Sequence, residues 1–424
     1  MIHTSIEKES IELLQKIIKL NTTNEYANEE IAAYFLKEVL QKEDIDSQII
    51  YSPEGRANFV AKLNGRSNEA PLVLLSHVDV VAAKEEEWTC PPFSGQIFDN
   101  KLWGRGTLDT KQLTIMHLIA FMQLKRNNRQ LRRDVYFIAT ADEENGSKQG
   151  MEFLAQKHPE FFQGATVLSE GGGFTITGNQ GNHLLFASGE KGTARILVTA
   201  IGDAENQAIV KLSAVLQELM NYKFDATEYE IQSLYSAGFI EKLKSSAKTE
   251  DTKLVHQLYE YISLPTAMVE WMGAIPETGG ETIPTKAQAL IEIRTLPYQN
   301  EEFSKEMFSN FFSHFDVDWK LLFFQKGYES NVNSVILQLF KDQSSKYGVE
   351  ANWIPFTALG KTDGRFIGEL ANDIYGLSPT KIPFTEVLKR VHNKDECIEL
   401  DSFLYGVSLM IDVVERFCDH SGGG

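Results

Sequence analysis

The chain has 424 residues, 42% hydrophobic and 24% charged, a balance that builds a large packed core and excludes collagen, fibres and disordered chains. Fifty-nine acidic residues against 41 basic ones give a net charge of −18, which repels nucleic acid and anionic membranes and argues against both as main partners. At this length two folding units are expected; three cysteines (Cys90, Cys397, Cys418) make no disulfide framework, and the start after Met1 lacks a basic-then-apolar leader, so a cytoplasmic location is expected.

In chain order, helical spacing of apolar residues runs over 6–20 and 31–40, and a strand reads at 58–63. The unbroken apolar run 71–80 predicts a strand buried on both faces, and 134–140 another. A helix is predicted over 110–124 between them, then a short helix at 150–157 and a short strand at 165–168. Strands alternating with helices predict an α/β sheet with helices on its faces. After Gly192 the order becomes strand (194–200), helix (207–221), strands (267–272 and 287–294), helix (301–315) and strand (317–324), which suits a small α+β unit. Helices at 333–347 and 402–417 return to the first unit. The expected domains are 1–190 with 328–424, and an inserted 191–327. His117 falls within the apolar helix and reads as a packed core residue.

Chemistry-bearing residues gather at strand ends. His77 and Asp79, two apart on one strand, share a face. They read either as a metal-bound imidazole steadied by a carboxylate or as a solvated strand end. Asp109 follows the turn Gly104-Arg105-Gly106 and, taken alone, reads as a helix N-cap. Asp142, Glu143 and Glu144 follow a buried strand; three acids there repel one another, and such a cluster calls for a cation or shared protons. Open α/β sheets bind ligands at that end of their strands. Glu170 ends another apolar run, before Gly171-Gly172-Gly173, and His392 lies just ahead of the last helix. As a set, two histidines and several carboxylates suit zinc, and a pair of ions about 3.5–4 Å apart needs a bridging carboxylate and a bridging water.

The order of these stretches resembles the family of zinc aminoacylases, carboxypeptidase S and succinyl-diaminopimelate desuccinylase. The resemblance is carried by His77-Val78-Asp79, Pro91-Pro92-Phe93-Ser94-Gly95, the run from Leu102 to Lys111, Asp142-Glu143-Glu144, Ser169-Glu170-Gly171, Glu190-Lys191-Gly192, Arg294-Thr295-Leu296-Pro297, Thr362-Asp363-Gly364-Arg365 and His392. It implies a zinc-peptidase-like catalytic domain with a mixed sheet flanked by helices, and an inserted ferredoxin-like lid or dimerisation domain. It implies two Zn²⁺ ions, with Co²⁺ or Mn²⁺ as substitutes: His77 and Glu170 on one, Glu144 and His392 on the other, Asp109 bridging. Asp79 would orient His77, and Glu143 would be the general base on a metal-bridging hydroxide. Arg294 would hold a substrate carboxylate, and Arg365 is a further candidate substrate contact. The implied reaction is hydrolysis of an amide bond in a short peptide or N-acyl amino acid, and family members often form homodimers.

This chain departs from the pattern at five points, two of them small: Gln112 replaces a common Gly and Lys361 a common small residue. The Gly-His loop of the small domain is shortened to 201–209 and has no histidine. Ser169 stands where many relatives carry Asp. Glu281 replaces a typical Asn near the substrate, and a carboxylate there would select a cationic or amine-bearing substrate. The missing histidine leaves a rival expectation: a degenerate relative that binds metal and small peptides with little turnover.

Overall fold

The first helix begins where the sequence supplies a capping box. The Thr4 hydroxyl accepts from the Glu7 N–H, and the Glu7 carboxylate accepts from the Thr4 N–H, so two otherwise orphaned donors are satisfied reciprocally. The structure, a computed structural model, describes residues 4–128, 130–178, 181–203, 205–224, 260–275, 284–349 and 351–419. The chain forms two units, residues 1–188 with 330–424, and residues 189–329.

Elements of the first stretch are α1 (Ser5–Ile18), α2 (Glu30–Gln41), β1 (Ser47–Tyr51), β2 (Ala57–Leu63), β3 (Glu69–His77), β4 (Ile97–Phe98), β5 (Lys101–Trp103), α3 (Lys111–Arg126), β6 (Arg133–Thr140), α4 (Met151–Lys157), β7 (Thr166–Ser169), β8 (Phe174–Gly178) and β9 (Gly181–Glu190). The second unit adds β10 (Gly192–Ile201), α5 (Ala208–Asn221), β11 (Thr266–Ile275), β12 (Lys286–Thr295), α6 (Glu301–Phe312), β13 (Asp318–Gln325) and β14 (Tyr328–Glu329). The chain then returns through α7 (Val335–Ser344), β15 (Ala351–Ala358), β16 (Asp373–Gly376), α8 (Phe384–Arg390), β17 (Cys397–Glu399) and α9 (Leu400–Asp419).

The main sheet of the first unit runs β1-β2-β6-β3-β7-β16-β9, with β8 and β15 also paired to β9. Its middle, β6-β3-β7-β16, is parallel; β1, β2 and β9 are antiparallel to their neighbours. The sheet is therefore mixed and flanked by helices. Every residue of α3 from Lys111 to Leu124 is buried, the polar Lys111, Gln112, Thr114, His117 and Gln123 among them, as befits a helix covered on all sides. This helix packs against β3 and β6 on one side and against α1 and α9 on the other. A separate three-stranded sheet, β17-β5-β4, joins residues 397–399 to 101–103.

The second unit carries an antiparallel sheet in the order β11-β12-β10-β13. Alternate residues of β10 (Ala194, Ile196, Val198, Ala200) and β12 (Ala287, Ala289, Ile291, Ile293) pack into one core with α5 and α6 residues such as Leu212 and Phe308, the period-two pattern of a sheet covered on one face.

Candidate metal centre

Three neighbouring parallel strands aim their carboxyl ends at one spot. His77 is the last residue of β3. Beyond β6, Asp142 turns the chain in a left-handed conformation (φ 64°) into the tight turn Glu143–Asn145. Glu170 directly follows β7. Asp109 arrives from the loop before α3, and His392 (φ 59°) from the loop before β17.

These side chains converge. His77 Nε2 lies 3.2 Å from Asp109 Oδ1, 3.2 Å from Glu170 Oε2 and 4.0 Å from Glu143 Oε2. His392 Nε2 lies 3.0 Å from Asp109 Oδ2 and 3.2 Å from Glu144 Oε2. Asp109 thus gives one oxygen to each imidazole, and each imidazole has one further carboxylate of its own. The His77 Nδ1–H donates to the Asp79 backbone carbonyl at 3.0 Å, which leaves the Nε2 lone pair facing two carboxylates. Lone pairs facing lone pairs need a proton or a cation between them. Ligand atoms about 2.0–2.2 Å from a tetrahedral zinc are separated by roughly 3.3–3.6 Å. The observed separations of 3.0–3.2 Å lie just below that range, close enough for a small outward shift of each side chain to admit an ion, and a nitrogen and oxygen donor set is the kind such an ion takes, so the residues fit a divalent ion on each imidazole. Glu144 Oε1, buried with no hydrogen-bond partner, adds one more unsatisfied acceptor.

The electrostatics agree with a deficit of positive charge. Burial and the Glu170 charge push Glu143 well above the ordinary carboxylate range. Burial, partly offset by His77, lifts Glu170 to about 7. Burial disfavours charge on His77, yet the Glu170, Asp109 and Asp79 carboxylates outweigh it and raise its pKa well above the usual imidazole value. Bonds to Asp109 and Glu144 raise His392 to about 10. Asp109 alone is held low; burial opposes this, but His392 and His77 prevail. Raised acids (Glu143, Glu144, Glu170) beside raised imidazoles are the mark of a cluster short of positive charge, which added cations would supply.

The surroundings amend three readings of the sequence. The strand predicted over 71–80 stops at His77, and Asp79 lies beyond it. Its carboxylate stands 3.6 Å from His77 Nδ1, while it accepts from the Glu143 and Glu144 amides, both at 3.1 Å, and from Asn24 Nδ2 at 2.6 Å. Asp79 therefore grips the Glu143–Glu144 turn with its side chain and His77 with its carbonyl. Asp142 does not join the acid cluster: it accepts from the Gln149 N–H at 3.0 Å and lies 3.3 Å from Arg56, itself ion-paired to the buried Glu29. Thr110, not Asp109, occupies the cap position of α3.

Glu170 rather than Ser169 faces His77; the Ser169 hydroxyl is buried without a partner. Arg365 lies 3.8 Å from Glu143 Oε1 and donates to the Thr362 carbonyl and the Ser147 hydroxyl. Asp363 accepts from Thr140 and Ser147, each at 2.6 Å, and is pushed up by burial. In the second unit Arg294 lies 3.6 Å from the buried Glu190 and donates to the Lys191 carbonyl. Glu281 lies outside the described residues. His117 is fully buried, with no partner for either ring nitrogen.

A mixed α/β sheet with a histidine–carboxylate cluster at its parallel strand ends is the setting of a metal site. The chain belongs to peptidase family M20/M25/M40, whose pattern matches residues 73–416. It is 28% identical to the protein named "Probable succinyl-diaminopimelate desuccinylase" of Staphylococcus aureus (strain MRSA252), over 95% of each chain. Among solved structures it resembles an M20 family metallo-carboxypeptidase, Sso-CP2 of Sulfolobus solfataricus, with a TM-score of 0.71 at 20% identity, over 96% of this chain and 98% of that one. The Bacillus subtilis YXEP protein, described as a dinuclear metal binding peptidase, superposes with a TM-score of 0.62 at 12% identity, over 98% of this chain and 99% of that one. Among the described residues no helix is long and apolar enough to cross a membrane.

Proposed function

We propose that this hydrolase is a dinuclear zinc enzyme that cleaves the amide bond of an N-acyl amino acid or short peptide bearing a free carboxylate. The observation that carries the reading is the sharing of Asp109, one oxygen to each of two imidazoles. His77 and Glu170 would hold one ion, His392 and Glu144 the other, and Asp109 both. When bound, the ions polarise the scissile carbonyl and bring the pKa of water to about 7. Glu143, held by its amide on Asp79, takes a proton from the attacking water and returns it to the leaving nitrogen. Arg294 would bind the substrate carboxylate with its planar fork, and Glu281 would favour an amine-bearing substrate. The desuccinylase name of the Staphylococcus relative supports an N-acyl amino acid over a peptide.

One observation favours a second reading, a binder with little turnover: the segment between β10 and α5, residues 202–207, has no histidine to meet an oxyanion. A zinc-reconstituted assay on N-acyl amino acids and dipeptides separates the two. Turnover of at least one substrate is expected, with kcat lowered about 100- to 10,000-fold in Glu143→Gln and two equivalents of zinc still bound. Equal, negligible rates for both proteins with zinc in place would establish the binder, and absence of bound metal would sink both readings.

A further inference from the structure

We propose that Glu396 is a positioning residue of the metal centre, a clasp that fixes the backbone delivering Asp109 and ties it to the segment delivering His392. The inference rests on the metal-centre reading above. Glu396 is completely buried, and four donors converge on its two oxygens. Oε2 accepts from Arg105 Nη1 at 2.8 Å and from the Gly106 N–H at 3.2 Å. Oε1 accepts from the Leu108 N–H at 2.6 Å and the Asp109 N–H at 3.2 Å. The loop 105–109 is thus wrapped around one carboxylate. The Glu396 carbonyl accepts from the Gly104 N–H at 2.9 Å, and the next residue, Cys397, pairs with Trp103.

The other end of the clasp is short. His392 is four residues before Glu396, and Asp395 between them accepts from the Thr89 N–H and hydroxyl at 2.7 and 2.9 Å. Of two side chains that must meet at one point, Asp109 is therefore held by the Glu396 carboxylate and His392 lies four residues from it along the same backbone. A backbone shift of a few tenths of an ångström at Leu108–Asp109 would spoil contacts of 3.0–3.2 Å to both imidazoles. The chemistry demands a carboxylate. An amide would turn its NH₂ towards either the Arg105–Gly106 pair or the Leu108–Asp109 pair, donor against donor. A plain buried ion pair with Arg105 would explain one of the four contacts and leave three backbone amides unexplained.

The test compares the full-length wild type with Glu396→Gln. Three quantities are read: zinc affinity by competition with a chromophoric chelator, amide hydrogen exchange at Gly106, Leu108 and Asp109 in chelator-treated protein, and Tm of that same metal-free protein. Zinc affinity is expected to fall about 10- to 100-fold, the usual effect of removing a group that holds a ligand in place. Exchange at the three amides is expected to quicken about tenfold. Wild-type zinc affinity and unchanged exchange, with only a lowered Tm, would overturn the clasp and leave a structural ion pair. A wild type that binds no zinc would defeat the metal-centre reading instead, and the exchange rates would still decide for or against the clasp. If Glu396→Gln does not fold, Glu396→Asp, which keeps the charge but is one methylene too short to reach both donor pairs, is judged by the same readings.

Discussion

The two imidazoles of the centre reach it by opposite routes. His77 closes a strand paired on both sides, and its side chain is 1% exposed. His392 sits on a loop in left-handed backbone, and its side chain is 51% exposed. Packing within the sheet and one local bond, to the Asp79 carbonyl, orient the first. The second must be tethered, and its tethers are the Thr89–Asp395 and Glu396 contacts nearby. The difference implies that one half of the centre is an inherent part of the sheet, while the other half depends on a few polar contacts.

The largest expected effect removes what the halves share. Asp109→Asn should abolish binding of both zinc ions, read by metal analysis after dialysis, and lower kcat/KM at least about 1000-fold, since even a single transition-state donor is worth about 100- to 1000-fold. Retention of two equivalents would break the reading of Asp109 as the shared residue. Next comes the comparison itself. His392→Ala should retain one equivalent of zinc and lower the metal-free Tm only slightly, because a half-exposed loop residue packs little and loses only its pairing with Asp109 and Glu144. His77→Ala should lower that Tm as well as metal content, because it opens a space in a buried strand end. Equal Tm values for the two variants would erase the distinction between packed and tethered halves.

The smallest effect concerns the helix behind the centre. His117 is buried without partners, and burial lowers its pKa to about 3. Its folded pKa lies below the unfolded one, so the stability linked to its neutral form is present above about pH 6.5 and is lost as pH falls from there towards 3. Between pH 6.5 and 5 the loss comes to about 2 kcal/mol. His117→Leu should therefore narrow the Tm difference between pH 7 and pH 5, measured by calorimetry on metal-free protein. An unchanged difference would mean that the imidazole is protonated in the fold.

The parts of the fold legible in the sequence were those buried on all sides. The apolar runs that became β3 and β6 announced themselves, as did α3 between them. Strand β1, Ser47–Tyr51, is partly exposed and short, so no periodicity singled it out. Strand β9, Gly181–Glu190, mixes His183, Ser188 and Gly189 among apolar residues, and its burial comes from tertiary partners rather than composition. Within the centre, the residues that meet were legible from the pattern of motifs. Their supports were not. Asp142 reads like a third acid until Arg56 turns it away, and Glu396 looks like any acid of a polar loop, because its donors stand 287–291 residues away in sequence.

The order in which the ligands are synthesised follows from the discontinuous first unit. Asp109, Glu144 and Glu170 precede residues 189–329, while His392 follows them. A chain emerging from the ribosome at about 5–20 residues per second runs through some ten to forty seconds of translation between Glu170 and His392. On the reading of His392 as a ligand, a nascent chain lacks its second imidazole throughout that interval and cannot complete a two-ion site.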